Sequence, residues 1–83
     1  MMKRVPHENE VDKLESVDRK TIYSIRKRFD GNYEFYVEYL NFDNESEAYY
    51  WSQDMLPRPS IFGSVIDAKA EIYAQFSQFL NSN

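Results

Sequence analysis

Three carboxylates, Asp43, Glu45 and Glu47, alternate along a short polar stretch with Asn41 and Asn44 beside them. Oxygen donors grouped in this way are the chain's nearest approach to a site for a hard cation such as calcium. The stretch lacks both the turn glycine and the terminal bidentate glutamate of an EF-hand loop. A solvated turn with no metal is therefore expected. Acid–base catalysis has little to work with. The single histidine, His7, lies in a charged N-terminal segment where no regular element holds it near a second group. No serine or lysine sits in a nucleophile signature, and two glycines are too few for a phosphate-cradling loop. The chain is not expected to be an enzyme or to carry a cofactor.

What the residues favour is contact with another macromolecule. No lysine or arginine occurs between Arg28 and Arg58. The same stretch holds seven carboxylates and nine aromatic rings. Glu34, Tyr36 and Glu38 alternate on one face of a strand pattern, with Asp43, Glu45, Glu47, Tyr50 and Trp51 following. Tyrosine and tryptophan bring large contact area at low entropic cost, and carboxylates beside them favour a basic partner. Arg58, held between Pro57 and Pro59, is a further candidate contact for a partner carboxylate or phosphate. The competing reading makes the acids ordinary outward strand positions, paired across the strands with Arg26 and Arg28. In that reading the N-terminal segment lies over the rings, and the proline-flanked stretch is only a rigid connector.

The elements that must position these residues follow from the pattern. Eighty-three residues allow one domain. A 17% aromatic content lets so short a chain bury a core. Residues 1–18 read as a charged segment, partly disordered or forming a short helix turn through Val11, Leu14 and Val17, and residues 19–83 as the single domain. Lys20 to Phe29 and Tyr33 to Leu40 both alternate apolar and polar side chains. A three-residue loop at Asp30-Gly31-Asn32 pairs Phe29 with Tyr33 and Ile25 with Val37. Asn32 takes the left-handed position of that loop. An odd loop keeps like faces together, whereas a two-residue loop mixes them.

Residues 48–54, with adjacent Tyr49, Tyr50 and Trp51, favour a third strand over a short helix capped by Asn44 or Ser46. Ser64 begins a helix running to about Leu80, with Val65, Ala68, Ile72, Phe76 and Phe79 on one stripe and Ile66, Tyr73 and Leu80 widening it. Asn81-Ser82-Asn83 ends it. The expected fold class is α+β: a three-stranded antiparallel meander with a C-terminal helix packed on one face.

Three functional readings follow. The first is a small acidic protein-binding module whose partner has a basic surface. One form of it is an inhibitor that occupies a nucleic-acid channel, its carboxylates standing in for phosphates. Small acidic phage-encoded antagonists of host defence act in this general way, an analogy of size and charge without a shared motif. The second is a nucleic-acid-binding domain using the basic cluster from Arg19 to Arg28. The net charge of −4 and pI near 4.9 disfavour it. The third is a self-associating structural protein, a homodimer through an open sheet edge. The absence of cysteine, of an apolar leader and of any long apolar run points to a cytoplasmic protein without a membrane partner.

Overall fold

The computed structural model describes residues 4–54 and 60–80. Leu56 to Pro59, including Arg58, and Asn81 to Asn83 lie outside the described residues. The fold is an antiparallel meander of four strands, not three, in the order β1 (Glu10–Glu15), β2 (Thr21–Lys27), β3 (Tyr33–Asp43) and β4 (Ala48–Asp54). One α-helix, α1 (Val65–Phe76), follows and ends in a 3-10 turn over Ser77–Phe79.

The added strand comes from the N-terminal segment. The three-residue recurrence of Val11, Leu14 and Val17 suggested a helix turn, but a lone turn is not stable in water. Two-residue alternation wins instead. Asp12 and Leu14 are partly covered, while Val11, Lys13 and Glu15 are exposed. Leu14 packs against the core, opposite Tyr23. A bulge between Glu10 and Asp12 sets Val11 outward.

The β2–β3 hairpin keeps the odd loop but moves it by one residue. Lys27 faces Tyr33, Ile25 faces Phe35 and Tyr23 faces Val37. The loop is Phe29-Asp30-Gly31, closed by the Arg28 N–H donating to the Asn32 carbonyl at 2.7 Å. Gly31, not Asn32, takes the left-handed conformation, at φ +87°. Glycine adopts it without a Cβ penalty, and nothing lies where its Cβ would be. Phe29 is thereby carried out of the sheet to 99% exposure, although the alternation had placed it on the core side.

Residues 48–54 form a strand rather than a helix. Ser64 caps α1, its Oγ accepting from the Asp67 N–H at 3.1 Å. The helix lays Ala68 and Ile72 on the face formed by Tyr23, Ile25, Phe35 and Val37. Leu80 closes the same core, but Ile66 and Tyr73 are exposed and do not widen the stripe. The aromatic rings Tyr23 and Phe76 stack with centroids 4.8 Å apart. The helix α1 packs on this face; the opposite face of the sheet mixes polar side chains with Ile22 and several aromatic rings.

Candidate functional site

The face away from α1 carries Ile22, Ser24 and Arg26 from β2, and Glu34, Tyr36 and Glu38 from β3. Two of its acids are engaged from within the chain. Arg4, from the segment before β1, reaches across to Glu38 at 2.6 Å and also pairs with Glu10. Arg26 lies under the same cluster, 3.6 Å from Glu38. It also donates to Ser24 Oγ at 3.2 Å and to Gln53 Oε1 at 2.8 Å. Its guanidinium stands 4.3 Å above the Tyr36 ring. Glu34 is held by Arg28 at 3.1 Å and by the Tyr36 hydroxyl, which donates at 2.9 Å. Glu38 is buried, and Glu34 and Tyr36 are half-buried. Hence the middle of the belt, cation-free along the sequence, is not cation-free in space. These contacts also remove Arg26 and Arg28 from the basic cluster that the nucleic-acid reading needs.

Burial alone would raise the Glu10 carboxyl. Hydrogen bonds from Arg4 and Ser24, together with the charge of Arg4, outweigh it and hold that group below its ordinary value. Asp12, Asp18 and Asp30 move the same way, through hydrogen bonds that favour the ionised form. A carboxyl depressed in the folded state binds fewer protons than in the unfolded chain. The stability it contributes is therefore full above its unfolded pKa and is lost as pH falls through its folded value. Chemical denaturation across pH 2–6 is expected to show stability falling on acidification from about pH 4.5. In Glu10→Gln that fall is shallower; a profile identical to wild type would show that Glu10 is not held this way.

The outer end of the β3–β4 hairpin is different. The β2 pairing ends where Thr21 faces Tyr39, while β3 and β4 continue together to Asp43 and Ala48. The hairpin thus projects past β2 by roughly 10 Å of two-stranded arm. Phe42 and Tyr49 pack directly across it, ring centroids 5.0 Å apart and planes inclined at 56°. By strand parity Trp51 lies on their face, the same face as Tyr36. Tyr50, opposite Asn41, points to the helix side, so the arm's rings divide between its two faces. Phe42, Tyr49 and Tyr50 are 49%, 41% and 45% exposed.

Asp43 shapes the turn, its carboxylate accepting from the Glu45 N–H at 3.0 Å and from Ser46 Oγ at 3.0 Å. Glu45 and Glu47 are exposed, Glu47 in the left-handed region at φ +52°. Among the described residues no group of three or more His, Cys, Asp or Glu side chains converges on a metal position.

Comparison with known protein families, curated proteins and solved structures finds no match.

Of the residues singled out in the sequence, the structure therefore gathers Asp43, Glu45, Glu47, Tyr50 and Trp51 on the projecting arm. It separates them from Glu34, Tyr36 and Glu38, which face their own arginines. Phe42 belongs to the arm as well. Its position opposite Tyr49 follows from the turn Asn44–Glu47, but a turn of that length has no unique sequence signature. No helix of the described residues is long and apolar enough to cross a membrane.

Proposed function

We propose that this protein is a binding module that docks the outer β3–β4 hairpin onto a basic surface of another protein. One observation carries the reading: an arm with three exposed rings and the carboxylates Asp43, Glu45 and Glu47 contains no lysine or arginine from Asn41 to Asp54. An isolated two-stranded arm is marginal by itself, and exposed rings at its end gain stability by being covered. Its single sign of charge steers it to a basic partner and away from other acidic surfaces.

A second copy of this chain is disfavoured by the same charge. Antiparallel pairing of two β4 edges would set Asp54 of each against the Glu47 end of the other. A protein surface that otherwise takes nucleic acid is the partner chemistry this favours, with the arm's carboxylates occupying phosphate positions. The module would then act as an inhibitor.

Capture from native host lysate, with wild type and Glu45→Lys/Glu47→Lys compared side by side, tests the reading. Wild type is expected to retain a protein that is released by raised salt and displaced by heparin. The double reversal is expected to retain at least about tenfold less, the loss that like-charge contact of a few kcal/mol produces. Equal capture by both forms, or capture indifferent to salt and heparin, would overturn it.

A further inference from the structure

A cavity of about 490 Å3 opens on the helix side of the sheet, at the end away from the β2–β3 turn. This is the size range of small-molecule sites. Three parts of the chain build it: the β1–β2 turn, the paired ends of β2 and β3, and the end of α1 with the 3-10 turn that follows. Tyr23, Tyr39, Phe76 and Phe79 supply aromatic walls. Tyr23 is the floor, 2% exposed and stacked on Phe76, whereas Phe79 is half exposed and stands at the mouth. One side of the cavity is fixed by backbone contacts. The Val17 N–H donates to the Phe79 carbonyl at 2.8 Å, and Ser16 bridges to Leu80, tying the β1–β2 turn to the chain's C-terminal end.

Among the described residues Asp18 is the one charged side chain lining this space. Its carboxylate is fixed, accepting from Ser16 Oγ at 2.6 Å and from the Lys20 N–H at 3.0 Å. Arg19 and Lys20, next in sequence, are exposed and do not line the cavity. Tyr23, Tyr39 and Asp18 all line the same space, and the phenol of Tyr23 is raised by burial first and then by Tyr39 and Asp18. Aromatic faces with one ionised carboxylate are complementary to a cation bearing an apolar body. The rings attract positive charge through their quadrupoles, the carboxylate fixes its position, and the apolar body displaces water from the walls.

The geometry points to this cavity as a binding site for a small organic cation, an aryl- or alkylammonium compound. The site is separate from the hairpin arm and stands or falls independently of it.

A size-matched charge series of phenethylammonium, 2-phenylethanol and phenylacetate tests the site, followed through the aromatic NMR resonances of Tyr23, Tyr39 and Phe79. Saturable shifts are expected, with phenethylammonium binding about fivefold or more tighter than the alcohol, and phenylacetate weakest. Asp18→Asn keeps the acceptor oxygen of the turn and removes the charge, so it should bring the cation down to the alcohol's affinity. Thr21→Phe, which fills the cavity from β2, should abolish the shifts. Equal affinity for cation and alcohol, no saturable shift with any of the three at millimolar concentration, or an unaltered cation preference in Asp18→Asn would each overturn the assignment.

Discussion

Glu38→Ala is expected to lower the free energy of unfolding by about 3–5 kcal/mol, measured by urea denaturation. The Glu38 carboxylate lies between two guanidiniums whose side chains are only 8% and 7% exposed, Arg4 at 2.6 Å and Arg26 at 3.6 Å. Removing it leaves Arg4 with the Glu10 carboxylate alone and leaves Arg26 without an ion pair among the described residues. Arg26 retains Ser24, Gln53 and the Tyr36 ring, none of which carries a compensating charge. Breaking such a cluster from one side is costly because the remaining charges stay out of water. In a domain whose whole stability is about 4–12 kcal/mol, that loss is a large share.

Glu38→Gln provides the milder variant. It keeps the acceptor oxygen and removes only the charge, so it should fall between wild type and alanine. Glu34→Ala is the internal control, since its pair with Arg28 lies nearer to solvent and should contribute no more than about 1 kcal/mol. Equal losses at positions 34 and 38 would mean that Arg4 does not cover Glu38 in solution.

Glu38 also shows where a linear reading of charge stops. A run without lysine or arginine is a statement about sequence neighbours, whereas the partners of a strand side chain come from adjacent strands. Arg26 lies next to Glu34 and Glu38 because β2 and β3 are antiparallel. Arg4 arrives from more than thirty residues away. Neither contact changes any periodicity that the sequence displays. Beyond Lys20, whose carbonyl accepts from the Leu40 N–H at its base, β2 does not reach the projecting hairpin, so among the described residues no basic strand lies alongside it.

The legible parts of the fold were those set by parity and by local chemistry. Tyr23, Ile25, Phe35, Val37 and Tyr39 share one face under any odd loop, so their grouping survives a loop displaced by one residue. The displacement itself was decided by Gly31 against Asn32. Both tolerate the left-handed region, and glycine does so at lower cost. The Ser64 cap is a local signal and stands where the sequence places it. By contrast, β1 is an edge strand whose one inward apolar side chain, Leu14, is flanked by charges. Its pairing with β2 is a tertiary event with little local pattern behind it. The cavity beside Tyr23 joins a turn, two strand ends and a helix end, and no sequence spacing connects them.

Ile72→Ala tests the other face of the sheet and is expected to cost about 2–5 kcal/mol. Ile72 is fully buried at the centre of α1, within the cluster of Tyr23, Ile25, Phe35, Val37 and Ala68. Alanine there loses three buried carbons and leaves a void. The facing strands are fixed by their hydrogen-bond register and cannot close around it. Six residues earlier on the same helix, Ile66 is 78% exposed. Ile66→Ala removes little packing and gains slightly in helix propensity, so its effect should stay within about 0.5 kcal/mol of wild type. The two substitutions have identical chemistry and differ only in the face of α1 they occupy. Paired urea midpoints with unchanged slopes therefore measure the sheet contact itself. A loss at Ile66 as large as that at Ile72 would show that α1 packs on the sheet through a different face.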